Sequence, residues 1–418
     1  GYFPSVGLGW VINREKFMED QSLFDLLKIR GSWGLLGNDG IQPNAGYGIV
    51  NSGNNFSGIF GSTGSANGVR EPGYRVGRFF TQVRWEVVEE WDAGLDFALL
   101  NNRLEGTVDY YYRQTNDLAF SRPIPFMWDR VYGNWGSVAN SGWEVSLNWK
   151  DQVGQFAYKL GANATTLNNK VLDIGALANI QNGFPEWSAE FPTRIVPNEP
   201  INYYYGYEVA GVYQNQAEIA ADPIASAYNE ANPGAPIQPG YLRYKDQNSN
   251  GELDEADRIN LGNYLPKLTY GFNIGMSYQK FDLSVALQGV AGNKIHNLNR
   301  AMRRKYPQMN ADAAFMDNLW TAEGSTNEYP SAQGSVASWN LQASSFFVES
   351  GAYLRIQNIQ LGYNFNLNTI PVRVFATADR PAIFTRYNGF TPEVSGMGFD
   401  TNVYPIASTY SFGFNVTF

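Results

Sequence analysis

The sequence has 418 residues, with 26 Phe, 26 Tyr and 11 Trp but no Cys and a single His, His296. The lack of cysteine excludes disulfide scaffolds, thiol enzymes, zinc ribbons and iron–sulfur sites. The formal net charge of −9 argues against a nucleic-acid partner, and no apolar run reaches the roughly 18 residues of a membrane helix.

Apolar and polar residues alternate with a period of two along most of the chain, in segments of about nine to eleven residues. Strands of soluble proteins average about five or six residues. One face of each segment is apolar with aromatic ends, which favours a transmembrane β-barrel whose apolar face meets lipid. A water-soluble sandwich also alternates and remains the alternative. In chain order the segments lie around Trp10, Ile29, Leu95, Val108, Val145, Leu160, Phe272, Leu283, Leu361, Val374 and Phe414.

The connections between these segments come in two sizes. Short turns are predicted at residues 100–103, 151–155, 279–280 and 366–371, and long connections at 37–84, 116–135, 171–267, 291–345 and 379–408. Outer-membrane barrels have short periplasmic turns and long extracellular loops. Residues 171–267 are therefore predicted to form one extracellular excursion.

The number of wall strands predicts a piece of a larger barrel. About eleven strands with an extracellular start are expected, whereas a closed single-chain bacterial barrel has an even number. We therefore expect residues 1–418 to be the C-terminal half of a large antiparallel barrel. The chain also ends on an outer-membrane insertion signal formed by Ser411, Gly413, Val416 and Phe418.

Several stretches resemble the SusC/RagA class of TonB-dependent outer-membrane transporters. They are YFPSVGLGW from Tyr2, LKIRGSWG from Leu27, GNDGI from Gly37, NSGWE from Asn140, YLRIQNI from Tyr353 and GFTPE from Gly389. Together with the C-terminal signal, they extend over essentially the whole chain. The resemblance is strong because the stretches occur jointly and in order.

The resemblance implies a barrel of about 22 strands with a plugged lumen, in the outer membrane of a Gram-negative bacterium. It implies import of a large nutrient, a glycan or a peptide, beneath a SusD-like lipoprotein lid and with energy from the TonB complex. The remaining N-terminal barrel, the plug domain, lipid and lipopolysaccharide would be further partners. The plug domain is expected to be absent from this chain. The rival from another class is a secreted or surface carbohydrate-binding β protein without transport activity.

One segment has the spacing of a calcium-binding loop. DQNSNGELDEAD, from Asp246, offers side-chain oxygens at positions 1, 3, 5, 9 and 12, and glycine at position 6. Asp257 stands where glutamate is usual, and an Asx-rich turn is the alternative. The predicted structural Ca²⁺ ligands are Asp246, Asn248, Asn250, Glu252 (through its backbone carbonyl), Asp254 and Asp257.

Aromatic residues of the long connections are candidates for stacking on sugar rings or peptides, although they could equally pack the loops together. The candidate substrate-binding residues are Trp128, Trp135, Trp187, Tyr203, Tyr204, Trp320 and Trp339. Carboxylates recur at strand period on the polar face, which is typical of a hydrated pore rather than of a glycosidase pair. No catalytic residue is predicted. Charged residues expected to line the pore are Asp96, Glu105, Asp109, Glu144 and Arg355.

Overall fold

The computed structural model describes residues 1–40, 50–60, 69–76, 83–123, 130–175, 177, 179–182, 192–300, 310, 313–334 and 337–417. For residues 50–60, 69–76, 121–123, 130–131, 182 and 314 the description covers the backbone alone.

Strands dominate the described residues. In chain order they are β1 (Ser5–Val11), β2 (Phe24–Asn38), β3 (Val50–Phe60), β4 (Val69–Val76), β5 (Glu86–Leu99), β6 (Leu104–Pro123), β7 (Arg130–Val153), β8 (Phe156–Thr166), β9 (Asn168–Asp173), β10 (Ile180–Asn182), β11 (Thr193–Ile195), β12 (Tyr203–Tyr207), β13 (Val209–Val212), β14 (Leu242–Tyr244), β15 (Arg258–Gly262), β16 (Leu268–Tyr278), β17 (Phe281–Ala291), β18 (Lys294–Asn297), β19 (Val348–Ser350), β20 (Tyr353–Leu367), β21 (Ile370–Thr385), β22 (Phe399–Asp400) and β23 (Thr409–Val416).

Helices are few and short. They are α1 (Gln216–Ala221), α2 (Pro223–Ala231) and α3 (Ala313–Asp317), with 3₁₀ turns at Ile12–Arg14, Lys16–Met18, Glu255–Asp257, Ser338–Leu341 and Ser345–Phe347. Within the part of the chain that the structure describes, no helix is both long and apolar enough to cross a bilayer.

One large antiparallel sheet, the main sheet, runs the length of the chain. Its order is β1-β2-β5-β6-β7-β8-β16-β17-β20-β21-β23, and β9 pairs with residues 137–141 of β7. These eleven strands follow chain order without a crossover, which confirms the predicted number of wall strands. Among the described strands, β1 and β23 are the two edges of this sheet, and each has a neighbouring strand on one side only.

The main sheet has a turn edge and a loop edge. The turn edge carries the short connections, including residues 154–155, 279–280 and 368–369, while the loop edge carries residues 174–267, 292–352 and 386–408. The predicted long connection at 116–135 is wrong in extent. β6 and β7 remain paired out to Pro123 and Arg130, because the backbone ladder continues beyond the residues that alternate.

The register places apolar and polar residues on opposite faces of the main sheet. One row of directly opposed residues runs Trp10, Ile29, Leu95, Val108, Val145, Ala164 and Tyr270. The next row runs Lys28, Asp96, Thr107, Ser146, Asn163, Gly271, Gln288 and Arg355. Since successive side chains of a strand point to opposite faces, the sheet has one apolar face and one polar face.

The apolar face is exposed rather than packed against another layer. Trp143 is 53% exposed, Leu361 51% and Phe412 87%, and the largest buried cluster lies in the loops instead. A soluble protein rarely exposes an apolar surface of this extent. The arrangement therefore contradicts a two-layer sandwich and fits a wall with hydrocarbon on its outer side.

Aromatic pairs mark two levels on the apolar face. Near the turn edge, the rings of Phe281 and Tyr363 lie 4.8 Å apart, and nearer the loop edge those of Tyr110 and Trp143 lie 5.1 Å apart. On β7, Trp143 and Trp149 are separated by about 20 Å along the strand. This spacing is of the same order as the about 25 Å apolar band between the aromatic girdles of a membrane barrel.

The three long connections at the loop edge fold together into what we call the head, the described parts of residues 174–267, 292–352 and 386–408. All three contribute to one buried core, for example through Tyr204, Leu242, Phe347 and Phe399. Short sheets hold it, including β10-β11-β12-β15 and β19-β18-β22. Residues 203–213, which lie within the excursion predicted for residues 171–267, thus belong to the head and not to the main sheet.

Candidate functional site

The predicted substrate-binding aromatics do not form one exposed platform. Trp128 and Trp187 lie outside the described residues. Tyr203, Tyr204 and Trp339 are buried in the head, at 6%, 0% and 3% exposure. Their burial does not fit the prediction, because ring faces already in contact with protein are closed to a sugar or peptide.

The two remaining candidates are partly buried. Trp320 packs against the core of the head, and its indole N–H donates to Oε1 of Gln214 at 3.1 Å. Trp135 lies on the extension of β7 beside Gly133, where a Cβ would come within 2.7 Å of the indole ring. Neither residue is placed by the structure against a described cavity, so their binding role stays a prediction.

Trp339 illustrates how these loops are held together. Its indole N–H donates to the carbonyl of Leu242 at 2.7 Å, and its own carbonyl accepts from the hydroxyl of Tyr244 at 2.8 Å. Its ring lies 4.6 Å from that of Tyr228 and 5.2 Å from that of Tyr244. The residue therefore joins two of the three long connections through packing and hydrogen bonds together.

His296 is a core residue of the head. It is 1% exposed and lies between the rings of Phe347 and Phe399, at 6.0 and 5.3 Å. Burial lowers the pKa of His296 from 6.5 to about 3. The imidazole is therefore neutral at physiological pH, and it forms part of the buried interior of the head.

Acidification is expected to loosen the head through His296. The folded pKa lies below the unfolded one, so the unfolded state binds more protons below about pH 6.5 and stability falls as the pH falls toward the folded value. Going from about pH 7 to about pH 4.5 should cost about 2–3 kcal/mol. Hydrogen exchange of the β18 amides measures the loss. The variant His296→Phe should show a flatter profile; an unchanged pH dependence in that variant would contradict this cause.

The calcium-like loop is held by its own backbone amides. Asp246 accepts from the amides of Ser249 at 2.6 Å and Gly251 at 2.8 Å, and the Gly251 bond leads the hydrogen bonds that lower the pKa of Asp246. Asp257 is fully buried and accepts from the amides of Gln247 and Asp254, at 2.8 and 2.9 Å. Both carboxylates thus anchor the turn by accepting backbone amides.

These contacts test how well the loop suits a cation. Asn248 and Asn250 also accept backbone amides through their Oδ1 atoms, and Asp254 accepts from Ala256. Each of these oxygen atoms has a further lone pair that could bind a cation. Oxygen ligands of this kind are those that Ca²⁺ prefers. However, no three acidic or histidine side chains converge on a metal position in the described part of the chain. The Ca²⁺ site stays a prediction.

The predicted insertion signal lies on β23, the last strand of the main sheet. Ser411, Gly413 and Val416 pair with β21, whereas Phe418 lies outside the described residues. A Cβ at Gly413 would come within 2.5 Å of the ring of Phe375. The ring of Phe375 thus covers the position that a side chain at residue 413 would occupy.

A cluster of charges occupies the polar face of β2, β5 and β6. Arg30 contacts Asp92 at 3.0 Å, Asp96 at 3.1 Å and Asp109 at 2.5 Å, and Lys28 contacts Asp96 at 3.1 Å. Lys28 and Arg30 thus form ion pairs with three carboxylates. Asp96 and Asp109 lie on the polar face, as the alternation predicts, but the role of Arg30 as their shared partner could not be seen in the sequence.

Gly94 makes this cluster possible. It lies directly between Arg30 and Asp109 in the register of the sheet. A Cβ at position 94 would come within 2.7 Å of the guanidinium carbon of Arg30 and would also collide with Asp109. The glycine at position 94 therefore leaves the space through which the side chain of Arg30 crosses β5 to reach Asp109.

Two hydrogen-bond networks near the loop edge, one around Glu349 and one around Arg355, could not be predicted from the sequence. Glu349 accepts from the side chain of Asn297 at 2.9 Å and from the side chain and backbone amides of Asn388 at 2.9 and 3.0 Å. Arg355 donates to Glu393 and, at 3.0 Å, to Gln288. The second network joins the YLRIQNI and GFTPE stretches, so the only signal for it was that both resemble the same family.

Curated proteins similar to this chain are receptors. TonB-dependent receptor P26 of Formosa agariphila is 28% identical over 439 residues, covering 100% of this chain and 42% of that receptor. TonB-dependent receptor SusC of Bacteroides thetaiotaomicron is 28% identical over 444 residues, covering 100% of this chain and 40% of that receptor. The chain thus spans less than half the length of the curated relatives it matches. No protein-family model matches it.

Solved structures show the same fold. A chain in the structure of the RagAB peptide transporter matches with a TM-score of 0.78 at 22% identity, over 100% of this chain and 43% of that one. The "open-open" state of the RagAB peptide importer gives a TM-score of 0.75 with the same coverage. The likeness at this identity concerns the fold, and it agrees with an open sheet that is part of a larger barrel.

Proposed function

This chain resembles TonB-dependent receptors of the SusC/RagA type over its whole length, and on that premise we propose that it forms part of the barrel wall and the extracellular loops of an outer-membrane importer. The observation that carries the proposal is the main sheet, with eleven antiparallel strands in chain order, an exposed apolar face and a polar face. The apolar face meets lipid and the polar face lines the lumen.

The two edges of the sheet then face different compartments. The loop edge with the head lies outside the cell, and residues 171–267 form its largest excursion, while the turn edge faces the periplasm. The free sides of β1 and β23 pair with the remaining strands of the receptor. The role of the chain is passage and positioning, without catalysis.

The cargo and the partners follow the same reasoning. A large nutrient, a glycan or a peptide, enters beneath a SusD-like lipoprotein that rests on the head. A plug domain fills the lumen and connects it to the TonB complex. The shared core of the head supports a docking role, because it holds the three connections together.

Uptake in cells tests the proposal. A strain lacking the complete receptor, with and without its gene restored, is grown on single glycans or on peptides as sole nutrient. Growth that depends on the receptor and is abolished by a protonophore is the expected result. Recovery of the protein as a monodisperse species without detergent would contradict the proposal and favour the carbohydrate-binding alternative.

The loop from Asp246 to Asp257 is proposed as a structural Ca²⁺ site of the head. Its oxygen-only donors and the low pKa of Asp246 support this role. In the complete receptor, terbium luminescence and metal analysis are expected to report one bound ion. The double variant Asp246→Asn with Asp254→Asn should lose it, and Glu230→Gln, an exposed carboxylate on α2, should keep it. Metal-free protein after dialysis against Ca²⁺ would contradict the site.

A further inference from the structure

The last long connection, between β21 and β23, passes over the polar face of the main sheet. Arg355 is the third residue of β20 and lies in the polar row, directly opposite Gln288. Its guanidinium donates to Glu393 of the connection and to Gln288 at 3.0 Å. Glu393 therefore lies on the side of the wall that lines the lumen, near the loop edge.

This contact with the wall is buried. Arg355 is 7% exposed, and so is Thr391, whose hydroxyl accepts from the amide of Glu393 at 3.2 Å. A buried guanidinium requires a counter-charge, since the desolvation of an unpaired cation is costly. Among the described residues, Arg355 forms its ion pair with Glu393. One charge pair thus fastens the connection to the wall.

A few residues later, the same connection is bound to the other two connections of the head. The hydroxyl of Tyr204 donates to the carbonyls of Met397 and Gly398, at 3.0 and 2.9 Å. The amide of His296 donates to the carbonyl of Gly398 at 2.9 Å, and Phe399 enters the core of the head. This second anchor thus combines the hydroxyl of Tyr204, backbone pairing and the packing of Phe399.

Two further bonds close the segment at its start. The hydroxyl of Tyr387 donates to Asp400 at 2.5 Å, and Asn388 binds Glu349. We call residues 387–400 the strap. Between the wall anchor at Glu393 and the head anchor at Met397 the chain spans at most about 14 Å when fully extended. Gly396, with φ of 66° and open space around its Cβ position, lies in this stretch.

We propose that the strap ties the other two connections of the head to the lumen side of β20 and narrows the outer mouth of the barrel. The Arg355–Glu393 ion pair is its release point. The inference rests on the proposed function, because only a barrel gives the polar face a lumen. The head anchor is a strand pair and a core, and the wall anchor is one ion pair. The wall anchor is therefore the weaker of the two and opens first when cargo enters.

Distance measurements on the complete receptor test the strap without any uptake. These 418 residues contain no cysteine. Once any cysteine in the rest of the receptor has been replaced by serine, spin labels at Ser395→Cys on the strap and Thr369→Cys at the turn edge report one distance. Glu393→Arg or Arg355→Glu should broaden the distance distribution about twofold or more, because like charges repel at the wall. The exchanged pair Arg355→Glu with Glu393→Arg should restore the narrow distribution.

The exchanged pair distinguishes loss of the ion pair from simple misfolding, since it keeps both side chains and their opposite charges. A distribution as narrow in Glu393→Arg as in the parent, in protein that is still heat-modifiable as a barrel, would overturn the strap. So would a broad distribution in the parent itself.

The release step needs a second experiment. Arg355→Cys with Glu393→Cys, bridged by a bis-methanethiosulfonate reagent, should stop receptor-dependent growth on the cargo, and a reductant should restore it. Undiminished uptake by the bridged receptor would overturn release. If the parent takes up nothing, the proposed import function fails, while the distance measurements still decide on the strap.

Discussion

Replacing Trp339 by alanine is expected to open the core of the head, with a loss of about 3–5 kcal/mol in local stability, as for other buried tryptophans. The indole is 3% exposed, donates to Leu242 at 2.7 Å and packs on Tyr228 and Tyr244. The change therefore leaves a cavity and an unsatisfied carbonyl together. Hydrogen exchange of the β13 and β14 amides should rise, because these strands lie beside the lost ring.

The control for this change is another aromatic residue of the head at its surface. Phe390 is 61% exposed, so Phe390→Ala should stay within about 0.5 kcal/mol of the parent. The main sheet should keep its protection in both variants, since its ladder does not include Trp339. Equal exchange in the parent and Trp339→Ala would show that Trp339 does not hold residues 174–267 and 292–352 together and would contradict its place in a shared core.

The wall could be predicted from the sequence because its information is local. Alternation at Trp143, Val145, Leu147 and Trp149 fixes which face each side chain takes, and short turns leave the neighbouring strand little choice of register. The prediction failed only where alternation stops. β6 and β7 stay paired beyond Asn116 and up to Arg130, since backbone bonds do not require a hydrophobic pattern.

The head could not be predicted because its contacts are long-range. Tyr204 meets Gly398 and Phe399 across nearly half of the chain, and no spacing within a segment reveals this. The aromatic residues of the long connections allowed both a binding and a packing interpretation, and the burial of Tyr203, Tyr204 and Trp339 favours packing. In a region without strand periodicity, residue type alone does not distinguish a core from a binding surface.

The partners within the polar clusters were equally hidden. The alternation places Arg30, Asp96 and Asp109 on one face, but their contact depends on Gly94, which lacks the side chain that would separate them. Arg355 and Glu393 are brought together by the path of a connection, not by register. Sequence reasoning thus assigned the face of a charged residue and missed its counter-ion.

A charge on the apolar face should disrupt the protein, whereas the same charge on the next residue should not. Phe272 is 42% exposed on the apolar face near the middle of β16, and Asn273 beside it points to the polar face. Phe272→Arg should cost about 2–4 kcal/mol, the depth-dependent penalty for arginine at the middle of a membrane barrel. Asn273→Arg should cost little, because its side chain enters water.

The comparison is made on the complete receptor, from its yield in the outer membrane and from its unfolding in lipid vesicles. Both variants add one positive charge to adjacent positions of one strand, so an effect of net charge would be shared. A difference between them isolates the medium that each face contacts. If Asn273→Arg were as damaging as Phe272→Arg, or if Phe272→Arg were neutral, the apolar face would not meet hydrocarbon, and the assignment of this sheet to a barrel wall would be wrong.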